Sequence, residues 1–385
     1  MRVLHVYKTY FPESCGGVEE AIRQICCSTG SLGISNELFT LADEPDKSWP
    51  EQPEVKVWRY KRLTRIRSCD IPAFTGIRKF RMHGLKCDLI HYHYPWPFSD
   101  LLHLINAIPI RSIVTYHSDI VRQWVLSYPY VPLMQRFLAS VDLIVATSPN
   151  YVLKSPVLQK FKRKVAVIPL GLDPAAAKDS SPDLLRFWEE QVGRDFFLFI
   201  GTLRYYKGLP FLIEAARGTH LRVVIVGTGP EESYLKKLAR GIDNIRFLGP
   251  VSDNDKFALL RLARCLVLPS HLRSEAFGVV LLEASLFGKP LITAEIGSGT
   301  SYVNVANKTG LIVPPANPLE LRRAMEILAS DDQLAKQMGT SSRQRFESKF
   351  TSQQMAQEYV RLYRQLLDGH FPSEYIGSLD SEIPE

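Results

Sequence analysis

The sequence predicts an α/β fold made of two doubly wound, Rossmann-like domains and a closing helix. Three observations lead there. At 385 residues with 45% hydrophobic content, the chain exceeds one compact core and can fill two. Short apolar runs alternate with helical segments, the pattern of a parallel sheet in an α/β domain. That alternation stops at a polar stretch after Pro174 and restarts near residue 195.

Taken in order, Arg2–Tyr7 reads as a first strand, and Tyr10–Glu20 as a loop entering a helix. Gly16 and Gly17 stand at that junction, where a tight turn or a close backbone approach to a ligand accounts for them equally. Further strands are expected at Asn36–Leu41, Val55–Tyr60, Leu89–His93, Ser112–Tyr116, Leu143–Thr147 and Val165–Pro169. These complete a first domain over residues 1–174, and residues 175–194 read as a linker with one amphipathic piece. The second domain, 195–351, has strands at Phe196–Ile200, Leu221–Val226, Ile245–Phe247, Cys265–Leu268, Pro290–Ala294 and Gly310–Val313. A helix over 352–367 closes the fold. The acidic tail 368–385 is short of large apolar residues and is expected to be loose. In doubly wound domains a ligand lies at the carboxyl ends of the strands; here it would lie between the two domains.

Composition excludes several classes. Six cysteines without a CxxC pair point to a reducing compartment. The N-terminal apolar run is too short for a signal peptide, and no run approaches the roughly 20 residues that span a bilayer. A soluble or peripheral protein is expected. The net charge of +7 is local: Lys56–Lys86 holds ten Lys or Arg against one acid, Asp70. That segment interleaves cations with Trp58, Phe74 and Phe80. A solvated basic face or a nucleic-acid patch would explain it, but no nucleic-acid module accompanies it. An anionic membrane surface is the partner expected of it.

The chemistry concentrates after Cys265–Leu268, in Pro269-Ser-His-Leu-Arg-Ser-Glu275-Ala-Phe277-Gly278-Val279-Val280-Leu-Leu-Glu283. A helix should begin near Gly278 and stop at Gly288 and Pro290. Glu275 and Glu283 then lie about 12 Å apart along the axis, with free helix N–H groups between them that suit an anion. Carboxylate, anion hole and carboxylate follow the order of a nucleotide sugar's parts. An ordinary solvated helix glutamate is the plainer alternative for Glu283. Arg204 and Lys207, on the loop Gly201–Gly208 after the domain's first strand, could neutralise a departing diphosphate or be a basic surface loop. Gly227-Thr-Gly229-Pro230 is no dinucleotide motif, because Pro230 interrupts it. Asp253 and Asp255 form a DxD pattern that reads as an N-cap and first-turn acid rather than a metal site. His91 and His93 lack metal-ligand spacing, so no metal is expected. His117, at a strand end, is either a satisfied buried histidine or a group aimed at the ligand held by Glu275.

Together, Glu275-x7-Glu283, the loop GTLRYYKG at 201–208, GTGP at 227–230, FLGPVSDNDK at 247–256 and Gly16-Gly17 resemble glycosyltransferase family 4 from residue 1 to about 367. YHSDIV, LRYYKG, PSHLRSEAFG and EIGSGTS are most similar to the mannosyl- and D-rhamnosyltransferases of bacterial O-polysaccharide assembly. The resemblance implies the GT-B fold and metal-free transfer, with retained anomeric configuration, from a GDP-sugar to a lipid-linked oligosaccharide. That transfer would occur at the cytoplasmic face of the inner membrane, with the enzyme bound peripherally. It implies that Glu275 holds the hexose hydroxyls and Glu283 those of the ribose. Arg204 and Lys207 would face the diphosphate, with Phe277 and the amides of Gly278, Val279 and Val280 around it. His117 would lie near the sugar's 6-position, Gly16 and Gly17 beside phosphate or sugar, and Val251 and Lys256 near the base. The family's loop more often carries Arg directly after the glycine; here Thr202 stands there, and Arg204 is expected to substitute. A UDP-sugar donor, a GT-B nucleotide-sugar epimerase and a two-lobed binding protein are the competing readings; the last predicts a secretion signal.

Overall fold

The computed structural model describes residues 1–14, 16–66, 69–119, 130–176 and 180–370. It divides into two compact units: Met1–Gly171 together with the chain from Ser352, and Leu172–Thr351.

The first unit holds eight strands: β1 (Arg2–Val6), β2 (Ser35–Ala42), β3 (Lys56–Ile66), β4 (Cys69–Pro72), β5 (Leu89–Tyr94), β6 (Arg111–Tyr116), β7 (Leu143–Ala146) and β8 (Val165–Val167). Their order is β4-β3-β2-β1-β5-β6-β7-β8. All neighbours are parallel except β3 and β4. β1 and β5 meet where the winding direction reverses, the point at which such sheets open a ligand crevice. Register pairs His5 with His91 across them.

The second unit holds β9 (Phe197–Ile200), β10 (Val223–Val226), β11 (Ile245–Gly249), β12 (Cys265–Leu268), β13 (Leu291–Ala294) and β14 (Gly310–Val313). Their order is β11-β10-β9-β12-β13-β14, with every pairing parallel. The strands read Phe-Leu-Phe-Ile, Val-Val-Ile-Val and Cys-Leu-Val-Leu, and their residues are almost all buried. Continuous rather than alternating apolarity is what a sheet covered on both faces requires. The loops leaving β9 and β12 start side by side at this sheet's reversal point, and they carry Lys207 and Glu275.

Within residues 175–194, helix Pro182–Val192 is capped by Ser181. Its Trp188 Nε1–H donates to Asp255 at 2.9 Å, tying this stretch to the second unit. Helix Ser352–Leu367 buries Tyr359 and Tyr363 and packs against helix Gly17–Gly30 of the first unit. Of the tail, residues 371–385 lie outside the described residues. No helix among the described residues is long and apolar enough to cross a membrane.

The basic segment differs from expectation in three places. Phe80 is fully buried, stacked edge-on against Phe39 in the core, so it cannot reach a headgroup. Trp58 is half-buried and donates to Glu37 at 2.7 Å. Arg62 is buried between Glu13 (2.8 Å) and Asp43 (2.7 Å), with its Nε 3.1 Å from Asp70 but without hydrogen-bond geometry. An unpaired buried guanidinium would be costly, which explains this acidic ring. Arg67 lies outside the described residues. Leu63, Ile66 and Phe74 are exposed, as are Lys61, Arg65, Arg78 and Lys79. The sequence pattern showed only the first half of β3, as Val55–Tyr60; its extension to Ile66 is rich in Lys and Arg, and the short β4 carries no alternation, so the antiparallel pairing was not visible.

Candidate active site

The loop after β9 is shaped by its glycines. Gly208 has φ 71°, and a Cβ there would lie 1.9 Å from the Pro269 carbonyl oxygen. Only a bare backbone permits that approach, and it brings Lys207 against the loop after β12. Gly227 and Gly229 of the GTGP segment serve the same end: a Cβ on either would strike the backbone of Gly201 or Leu203.

Lys207 Nζ is ion-paired with Glu275 Oε2, and Ser270 Oγ–H donates to the same oxygen at 3.2 Å. Both charged side chains are largely buried. Burial alone would lower the Lys207 pKa, but the Glu275 charge, then Tyr206 and the Glu275 hydrogen bond, outweigh it and leave the ammonium above its ordinary range. Lys207 also lies over the Tyr206 ring, 5.5 Å from its centre. Arg204 is exposed and precedes the short turn Tyr205–Lys207, and Thr202 is exposed too. Ser270 and Tyr206 were not singled out from sequence, since a serine and a tyrosine in a loop carry no pattern.

Helix Val279–Leu286 begins after Gly278, which is left-handed with φ 79° and serves as its N-cap. Gly288 (φ 63°) follows its end. The first-turn amides, at Val279 and Val280, have no carbonyl one turn earlier within the helix. Phe277 is buried, and a Cβ at Gly299 would lie 2.8 Å from its ring. Glu283 is half-buried and pairs with Lys256 at 2.7 Å, so it is no freely solvated helix residue. Lys256 also reaches Asp253 at 2.8 Å. Burial lowers its pKa, Glu283 and Asp253 raise it, and the acids prevail.

Helix Asp253–Leu262 is capped by Ser252, not by Asp253 as the sequence suggests. Asp255 closes a capping box with Ser252 and accepts from Trp188. With Asp253 on Lys256, both acids of the DxD pattern have structural partners. Val251 is partly exposed just before this helix.

In the first unit, Gly16 caps helix Gly17–Gly30. A Cβ at Gly16 would meet Glu19 Oε2 at 2.6 Å, whereas Gly17 faces open space. Glu19 is buried and accepts from Thr9 and Ser14, both at 2.8 Å. Gly16 thus makes room for Glu19, whereas nothing lies within 4 Å of a Cβ placed at Gly17.

His117 is 6% exposed and follows β6. Its Nε2 lies 3.0 Å from His93 Nδ1, and His93 Nε2 lies 3.1 Å from His5 Nδ1. Burial lowers the His117 pKa to about 3 and that of His5 to about 4. His5, His91 and His93 bring ring nitrogens within 4.8 Å of one another, a grouping their sequence spacing does not reveal. Both ring nitrogens of all three are already hydrogen-bonded: His5 to His93 and Asn36, His93 to His5 and His117, His91 to Tyr363 and Thr115. In this arrangement the three rings form a hydrogen-bonded polar network.

The "Glycosyltransferase Family 4" model matches residues 15–176, and "Glycosyl transferases group 1" matches residues 181–345. The D-rhamnosyltransferase WbpZ of Pseudomonas aeruginosa is 47% identical over 359 residues, covering 91% of this chain and 93% of that protein. The O-antigen chain mannosyltransferase C of Escherichia coli is 44% identical over 370 residues, covering 96% and 99%. Among solved structures, sucrose-phosphate synthase from Thermosynechococcus elongatus superposes with a TM-score of 0.80 at 21% identity, covering 96% of this chain and 99% of its own. The two parallel-sheet units are those of the GT-B fold. The chain belongs to glycosyltransferase family 4 and is an enzyme that uses a nucleotide-sugar donor and a glycan acceptor.

Proposed function

We propose that this enzyme transfers mannose or D-rhamnose from a GDP-sugar to a lipid-linked glycan in O-antigen assembly, with retention and without a metal. The observation that carries the reading is the buried Lys207–Glu275 pair, three residues before the helix N-cap at Gly278. A cation, a carboxylate and free amides gathered there suit a sugar diphosphate. The names of the two full-length relatives supply the sugar and the glycan. In this reading Lys207 and Arg204 balance the departing diphosphate with the amides of Gly278, Val279 and Val280. Glu275 holds hexose hydroxyls, Glu283 the ribose, and His117 the sugar. The acceptor hydroxyl attacks from the face the diphosphate leaves, and a diphosphate oxygen takes its proton. Catalysis is then charge stabilisation and positioning. The engagement of Asp253 and Asp255 in a salt bridge and a capping box supports a route without a metal. The exposed cations and apolar side chains of the β3–β4 hairpin and helix Phe74–Gly84 support peripheral binding at the inner face of the inner membrane.

The test is product formation from GDP-mannose, GDP-D-rhamnose and UDP-glucose with a lipid-linked acceptor, with and without EDTA. Transfer from one GDP-sugar that persists in EDTA is expected, with the α-anomeric donor giving an α-linked product. Preference for UDP-glucose, dependence on added Mn²⁺, or release of a free epimerised sugar nucleotide would each refute it.

A further inference from the structure

A single file of hydrogen bonds runs inward from His117 through His93 and His5 to Asn36. All four side chains are buried, and the distances are 3.0, 3.1 and 3.2 Å. The direction of every proton in it can be fixed from the inner end. Asn36 Nδ2 lies 2.9 Å from the Cys26 carbonyl oxygen and 3.1 Å from Thr29 Oγ1. A backbone carbonyl only accepts, so the amide group facing Cys26 is the NH₂, and the atom facing His5 is the oxygen. His5 Nε2 must therefore carry the proton and donate to Asn36. A neutral imidazole has one donor and one acceptor, which leaves His5 Nδ1 to accept. His93 Nε2–H then donates to His5, and His93 Nδ1 accepts. His117 Nε2–H donates to His93, and His117 Nδ1 is left as a bare acceptor. Burial of adjacent rings keeps the chain neutral, because a second proton would place a charge in the sheet without a counter-ion.

We propose that Asn36, His5 and His93 are positioning residues that lock His117 in the Nε2–H tautomer, so that its Nδ1 accepts a hydrogen bond from a donor-sugar hydroxyl and cannot donate one. The proposal deepens the reading of His117 as a sugar contact and rests on it. A hydrogen-bond relay of one polarity selects for a group that bears a proton: a hydroxyl satisfies Nδ1, whereas a fluorine or a carbonyl at the same place meets a lone pair. The supporting side of the cluster is equally saturated. His91, stacked 4.4 Å from His93, is held by Tyr363 at 2.8 Å and Thr115 at 2.7 Å. Thr115 lies 2.9 Å from Tyr359 OH, so the closing helix clamps the relay from behind.

The experiment has two arms that fail separately. In the first, the full-length enzyme labelled with ¹⁵N-histidine is examined by long-range ¹H–¹⁵N correlation at neutral pH, without substrate. His5, His93 and His117 should all report Nε2–H tautomers. His93→Gln, whose amide can still donate to His5 and accept from His117, should keep the His117 tautomer; His93→Leu should lose it. An Nδ1–H or imidazolium His117 in the parent enzyme overturns the proposal, as does an unchanged tautomer in His93→Leu. So does a stoichiometric bound metal that disappears in His93→Gln. In the second arm, kcat/KM is measured with GDP-mannose analogues in which one hydroxyl at a time is replaced by fluorine. One position should cost the parent enzyme about tenfold, the worth of one hydrogen bond, and should cost His117→Ala nothing further. His93→Gln should retain that selectivity and His93→Leu should lose it. Equal sensitivity of the parent and His117→Ala at every position overturns the sugar contact while leaving the tautomer result standing. Absence of transfer from any GDP-sugar would defeat the donor reading, leaving the first arm to decide the relay.

Discussion

Lys207 is held by two opposed effects, burial that disfavours its charge and Glu275 that favours it, and the second prevails. In the proposed reading, the cation that would face the diphosphate is balanced, without ligand, by the carboxylate that would hold the sugar. On that reading, Lys207→Ala removes diphosphate stabilisation and strands a buried carboxylate. Turnover should fall by about 10²-fold or more, the usual size of losing one preorganised charge, while steady-state kinetics on Lys207→Arg should recover part of it. Glu283 is coupled to Lys256 instead. A ribose contact is the same in ground and transition states, so Glu283→Ala should raise KM for the donor with little change in kcat, whereas Glu275→Ala should mainly lower kcat. Equal changes in kcat from the two substitutions would undo this division of roles. At this scale the sequence singled out Glu275 and Glu283 by their spacing and Lys207 by its place on the loop after the second domain's first strand. It could not show that Lys207 meets Glu275, 68 residues away, or that Ser252 rather than Asp253 caps its helix.

In the proposed reading, membrane binding depends on the β3–β4 hairpin and helix Phe74–Gly84. Their cations are not equivalent. Arg62 is part of the interior, ringed by Glu13, Asp43 and Asp70, and reversing its charge should disrupt folding rather than report on lipid. The informative substitutions are Arg78→Glu with Lys79→Glu on the exposed helix face, and Leu63→Ser with Phe74→Ser. In co-sedimentation with vesicles containing anionic lipid, the charge pair should abolish the salt-sensitive part of binding, since each cation near such a surface contributes about 1 kcal/mol. The apolar pair should weaken what remains at high salt. Binding by both variants equal to the parent would remove this face as the docking surface. Sequence displayed the charge cluster, but not which cations are buried, because that depends on acids from three separate segments.

For the whole molecule, buried neutral histidines make stability depend on pH. His5 is lowered to about 4 and His117 to about 3, and His91 and His93 lie well below the usual 6.5, in each case chiefly through burial. In the unfolded chain these rings titrate near 6.5. Between that value and about 4 the unfolded state therefore binds more protons, so stability rises with pH there and is lost as pH falls. Melting temperature should drop steadily from pH 6.5 to 4, and the drop should be shallower in His93→Gln, which has one such ring fewer. Parallel curves for the two proteins in scanning calorimetry would contradict this.

Legible in the local sequence were every strand but β4 (Cys69–Pro72), the helix that starts at Gly278, the helix over 352–367 and the spacing of Glu275 and Glu283. These are written in local periodicity, in glycines and prolines, and in spacings within one segment. It took folding in three dimensions to join His5, His93 and His117 in one relay with His91 stacked beside it, to bring Lys207 to Glu275, and to return the closing helix to the first unit. The physical reason is the parallel sheet: its register aligns residues 86 positions apart, as with His5 and His91, and no local pattern records which strands will be neighbours.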